Sequence, residues 1–184
     1  MPGCVVLRVK AFREKKGRVK MHMDDRQARR LVDRYADMIL RISYSWFNQT
    51  ADAEDICQSV FLKYLTAGPR FRDAEHEKAW FIRTTINACK DTRKSAWFRH
   101  TVALEEAADM SAPAEPDSAL TDAVKALPKT SRLSIYLYYY EGYAIKEIAA
   151  MLGKNESSIA AALSRGRKKL RESLRDDANG GGRR

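Results

Sequence analysis

The sequence predicts an all-α protein: two small helical domains joined by a flexible linker, the C-terminal one containing a helix-turn-helix. Three observations lead there. No stretch alternates apolar and polar residues over a strand's length, whereas apolar residues recur at three- and four-residue spacing in several windows. Between the two richest windows lies SAPAEPDS (111–118), whose proline, serine and acid content is that of a linker. Near the C-terminus, AIKEIAAMLGKNESSIAAALSRGRKKLRESL (144–174) holds two helical patterns divided by Gly153-Lys154-Asn155. Two helices joined by a tight glycine turn place the second in a DNA major groove.

Taken in order, residues 1–23 are expected to be a disordered basic extension and 24–98 a helical domain. Its first helix follows Asp24 or Asp25 as N-cap and carries the stripe Leu31, Tyr35, Met38/Ile39, Ile42 and Trp46. A second helix starts after Asp52 and runs to about Leu65, where Gly68-Pro69 stops it; a third runs from about Lys78 to Ser95 or beyond. Residues 99–117 form the acidic linker and 118–176 the second domain. There Pro128 separates a helix ending near Leu127 from one over about Ser131–Glu141, which Gly142 ends before the helix-turn-helix. The tail, 177–184, is expected to be disordered.

Charge bounds the partner. The chain of 184 residues carries a net charge of +10, with blocks of net +6 (1–20), −5 (101–128) and +5 (154–175). Such a balance favours nucleic acid or an anionic membrane surface. No run of apolar residues is long enough to span a bilayer, and residues 1–20 lack the apolar core of a secretory signal. Cys4, Cys57 and Cys89 are few and far apart, which reads as reduced thiols in a cytoplasmic protein. There is no P-loop, HExxH, paired-cysteine motif or glycine fingerprint, so no enzyme, cofactor or small-molecule substrate is expected. Cys57 and Cys89 fall on expected core faces, so they and His76 are not read as a metal site.

Helical faces then nominate residues. Taking about 100° per residue, Ile56, Cys57, Val60 and Tyr64 share a core face, while Glu54, Gln58, Phe61, Leu62 and Leu65 fall opposite, as a docking surface would. On the third helix Ala79, Ile82, Ile86 and Cys89 point inward. The opposite row holds Trp80, Arg83, Thr84, Asn87 and Asp91, with Lys78, Lys90, Arg93, Lys94 and Arg99 around it. An aromatic ring, bases, an amide and a hydroxyl are what single-stranded DNA is bound by. In the last helix Ile159, Leu163, Leu170 and Leu174 share the inner face. Ser157, Ser158, Ala160, Ala161, Ser164, Arg165 and Lys168 point outward, where Arg165 could read guanine and Lys168, Lys169 and Arg171 could meet phosphates.

In this order the elements resemble a bacterial RNA polymerase sigma factor of the extracytoplasmic-function (ECF) class. DAEDICQSVFLKYL (52–65) is similar to the region 2 helix that docks on polymerase, FRDAEHEKAWFIRTTINACKDTRKS (71–95) to the −10 segment, and residues 126–174 to region 4, which reads the −35 element. The resemblance implies that Asp55, Gln58 and Phe61 contact polymerase. It implies that Asn87 lies near a flipped −10 base with Trp80 and Arg83 beside it, that Phe71–Glu77 is a specificity loop, and that Arg165 contacts the −35 element. It further implies promoter DNA, core polymerase (β′ clamp and β flap) and an anti-sigma factor as partners, the last able to hold the chain at a membrane. Two departures stand out. Ala160-Ala161-Ala162 replaces a run in which the family often has Lys or Arg, so a weaker or different −35 contact is expected. Residues 1–20 have no counterpart, which leaves open a start at Met21 or Met23, or a true basic arm. The competing reading is a helix-turn-helix regulator that binds duplex DNA without polymerase.

Overall fold

The computed structural model describes residues 25–47, 50–100 and 119–180, all of whose regular elements are helical. The extension over 1–23, Asp24, residues 101–117 of the linker and residues 181–184 of the tail lie outside them. The described helices fall into two compact units. The first holds α1 (Asp25–Tyr44), α2 (Thr50–Ala67) and α3 (Ala74–His100). The second holds α4 (Ala119–Lys125), α5 (Lys129–Ile135), a π-helical turn (Tyr136–Tyr140), α6 (Ile145–Leu152) and α7 (Glu156–Gly180).

In the first unit α1 buries Val32, Tyr35, Ala36, Ile39 and Ile42, residues that recur at helical spacing on one stripe. Trp46, expected on that stripe, lies in the turn after the helix. α2 buries Ala53, Ile56, Cys57, Val60 and Phe61, and ends at Gly68, whose φ of 53° is the left-handed cap position that glycine takes most cheaply. α3 begins four residues earlier than expected because Asp73 caps it: its carboxylate accepts the His76 N–H at 2.7 Å, and Glu75 and Glu77 sit at the positive end of the helix dipole. Its far end runs through His100, into the expected linker, since Lys94–His100 contains neither glycine nor proline.

Phe81 is the hub of this unit. It stacks on Tyr35 at 4.3 Å and Tyr64 at 5.2 Å, and meets Phe61 at 5.7 Å and the edge of Trp80 at 5.2 Å. Beside it the Glu77 carboxylate accepts both the Tyr35 hydroxyl, at 2.8 Å, and the Tyr64 hydroxyl, at 3.2 Å, so one acid ties all three helices. Burial, and then Glu77, pushes both phenols above their ordinary range. The buried hydroxyls of Ser43 and Thr85 are satisfied by the carbonyls of Ile39 and Phe81, each at 2.8 Å.

The second unit packs α5 and α4 against α7. Its core is Ala123, Leu127, Leu133, Leu137, Tyr143, Ile148, Ala149, Met151, Leu152, Ile159, Ala162 and Leu163. α7 crosses α5 closely at Gly166, where an added Cβ would stand 2.6 Å from Ile135 Cδ1 and 3.2 Å from Ser131 Cβ. A glycine in mid-helix costs about 1 kcal/mol against alanine; here the close approach of α5 accounts for it. Arg132 donates to the carbonyls of Lys125 and Leu127 at 2.8 and 3.1 Å, closing the end of α4. α7 runs through Gly180, beyond the expected domain end at 176.

Candidate nucleic-acid interface

Three helical faces carry the residues nominated by the sequence. On α2, Asp55 is exposed and Gln58, Leu62 and Leu65 are half-buried. Phe61 is not part of that surface: it is 3% exposed and lies against Phe81. α2 packs on both α1 and α3, which widens its buried arc until it takes in the phenyl ring at its edge. The apolar part of that surface is therefore half-buried Leu62 and Leu65.

On α3 the expected inner residues Ile82, Ile86 and Cys89 are fully buried and Ala79 is half-buried, and the core face is wider than expected, taking in Phe81 and Thr85 as well, both fully buried. That wider arc buries Thr84, which the sequence had placed on the outer row. Arg83, Asn87, Asp91 and Arg93 are exposed and Lys90 half-buried. With Lys94, also exposed, Arg83, Asn87 and Lys90 form a stripe at i, i+4, i+7 and i+11. Trp80 is half-buried and held edge-on by Tyr64, Phe71 and Phe81 at 5.2 to 6.0 Å, so it forms a fixed wall beside the stripe. The expected loop Phe71–Glu77 is shorter than its span, since Ala74–Glu77 belong to α3.

In the second unit Gly153 (φ 65°) ends α6 in the left-handed conformation, and Asn155 caps α7, its side-chain oxygen accepting the Ser158 N–H at 2.8 Å. The two helices of the motif are thus fixed by the turn the sequence nominated. Ser157, Ser158, Ala160, Ser164, Arg165 and Lys168 are exposed and Ala161 half-buried. Leu170 is half-buried and Leu174 is 38% exposed, so the inner face ends before Leu174. Lys169, expected at phosphates, donates to the Ala126 carbonyl at 2.9 Å. Lys168 lies 3.9 Å from Glu172, an exposed pair of small energetic weight.

Cys57 and Cys89 are buried, and among the described residues no group of three His, Cys, Asp or Glu side chains could hold a metal ion. Burial, then Glu54, pushes the Cys57 thiol up to about 12. Sequence reasoning passed over Phe81, Glu77 and the run YLYYY (136–140). The last carries its own signal: rings at i, i+2, i+3 and i+4 span too wide an arc for one core face, and Tyr138, Tyr139 and Tyr140 are exposed.

Comparison with known proteins decides the family. The model of Sigma-70 region 2 matches residues 31–99 and that of Sigma-70, region 4 matches residues 117–170. The ECF RNA polymerase sigma factor BldN of Streptomyces coelicolor is 30% identical over 160 residues, covering 81% of this chain and 61% of its own. The ECF sigma factor SigM of Mycobacterium tuberculosis is 29% identical over 150 residues, covering 75% of this chain and 76% of its own. The chain belongs to the sigma-70 family, in its ECF class. The fold of this sigma factor is similar to that of RpoE from Bartonella quintana, solved with the anti-sigma factor NepR (TM-score 0.63, 20% identity, 81% of this chain and 97% of that one). It is also similar to CnrH, solved with the cytosolic domain of CnrY (TM-score 0.53, 20% identity, 95% and 97%). The chain spans about three fifths of the length of its BldN relative. The region 2 match falls on α1–α3 and the region 4 match on α4–α7.

Proposed function

We propose that this ECF sigma factor binds core RNA polymerase, directs it to promoters and starts transcription, acting by binding rather than catalysis. One observation carries the reading: a single chain holds both region 2 and region 4, each with its own polar face over an apolar core. A regulator that only bound duplex DNA would need the second unit alone.

In this reading Asp55, Gln58, Leu62 and Leu65 of α2 meet the β′ clamp, and the second unit meets the β flap. Arg83, Asn87, Lys90, Asp91 and Arg93 on α3 line the path of the −10 strand beside the Trp80 wall. Extruding a base costs a few kcal/mol of stacking, which amide hydrogen bonds and aromatic contact offset. Ser157, Ser158, Ala160, Ala161, Ser164, Arg165 and Lys168 face the −35 groove. With alanines at 160 and 161, that turn offers only methyl contact, and the burden of base reading falls on Arg165 and the serines. RpoE was solved with an anti-sigma factor, and a partner of that kind is proposed here. No described helix is long and apolar enough to cross a membrane, and the chain is proposed to work in the cytoplasm, where polymerase is. Run-off transcription with core polymerase and a promoter library tests the reading: start sites that depend on this chain support it, and their absence refutes it.

A further inference from the structure

The π-helical turn Tyr136–Tyr140 has no role in the reading above. A π-turn is uncommon and concentrates at functional sites, and this one turns Tyr138, Tyr139 and Tyr140 outward, 39%, 54% and 77% exposed. Arg167 of α7 donates to the Tyr139 hydroxyl at 3.5 Å, and the Tyr138 ring meets that of Tyr139 edge-on at 5.0 Å, holding it from the side. A phenol that accepts from a guanidinium still has its own proton to donate, and the guanidinium keeps further N–H donors. The surface thus presents two adjacent donors, one of them cationic, an arrangement suited to an anionic oxygen.

Its position on α7 identifies the anion. At about 100° per residue, the row of exposed Ser157, half-buried Ala161, and exposed Ser164 and Lys168 lies opposite buried Ile159, Leu163 and Gly166, and Arg165 and Arg167 fall on its two flanks. A helix seated in the major groove runs between two walls of phosphates, and tyrosine hydroxyls and arginines are common phosphate contacts. We propose that Tyr139 and Arg167 together grip a DNA backbone phosphate on the flank of α7 opposite Arg165. This rests on the reading of α7 as the −35 helix. The π-turn supplies the contact from outside the two helices of the motif, which helps explain how a recognition helix with alanines at 160 and 161 keeps its hold on duplex DNA.

The test uses holoenzyme reconstituted from core polymerase and the full chain, on a promoter obtained from the run-off screen and on two promoters that differ in the −35 sequence. Tyr139→Phe removes only a hydroxyl and should weaken promoter binding about threefold to tenfold, the range for one lost hydrogen bond. Arg167→Gln should weaken it further and lower the salt slope by about one. Both losses should be equal across the −35 sequences, and core polymerase binding and Tm should stay at the wild-type values. Wild-type affinity in both variants overturns the proposal, as does a loss confined to one −35 sequence or a loss of core polymerase binding, which would make the tyrosines a protein-docking surface. If wild-type holoenzyme transcribes and the variants are unchanged, only this inference fails; if no promoter is used at all, the functional reading fails with it.

Discussion

Glu77 shows how much a single side chain can organise. Its carboxylate receives two phenols, one from 42 positions upstream and one from 13. Glu77→Ala should lower the stability of region 2 by about 1–3 kcal/mol, the cost of leaving buried donors unsatisfied, as measured by urea unfolding. The same phenols predict an alkaline limit. Their folded pKa values are raised above the unfolded value, so their contribution is complete below about pH 10 and is lost as pH rises beyond it. Tyr35→Phe should flatten that decline in an unfolding series from pH 9 upward. Cys57, buried and with its thiol pushed up to about 12, should resist alkylation in the folded chain at pH 8 and react once denatured, as read by peptide mass spectrometry. The core position of Cys57 was legible in the sequence, but the Glu77 ties were not, because each depends on a partner brought near only by the packing of three helices.

At the scale of elements the sequence carried more. Helical periodicity, Gly68-Pro69, Pro128, Gly142 and the Gly153–Asn155 turn all mark observed ends or breaks. Faces were harder. A wheel assigns angles but does not say how wide an arc the neighbours cover, so Phe61 and Thr84 were placed outside when α1–α3 packing takes them in. The start of α3 was missed although Asp73 and the acids after it are a capping signal. This changes the useful experiment. Phe61→Glu would put a carboxylate in the Phe81 cluster and unfold region 2, whereas Leu65→Glu leaves the core intact. Leu65→Glu should abolish capture of core polymerase with its circular dichroism unchanged. At the other unit, Gly166→Val should destabilise region 4 by about 1–3 kcal/mol through overpacking against Ile135 and Ser131, seen as a lower thermal midpoint.

Over the whole molecule, the all-α class, the linker composition and the order of motifs were readable because each is a local pattern. The family followed from those motifs in sequence, and the matches to regions 2 and 4 agree with it. Net charge of +10 predicts promoter binding that falls steeply with salt, since phosphate contacts release counterions. The alanines at 160 and 161 predict tolerance of −35 substitutions except where Arg165 reads a guanine. Arg165→Ala should cost about 1–3 kcal/mol at that position alone, and Asn87→Ala should alter −10 preference while core binding persists. The most direct measurement is in vitro run-off transcription with core polymerase, a promoter library, and wild-type, Leu65→Glu and Asn87→Ala chains. Defined start sites with wild type, none with Leu65→Glu and an altered promoter set with Asn87→Ala are the predicted results. Polymerase that starts at the same sites with and without the chain would contradict the assignment of both regions.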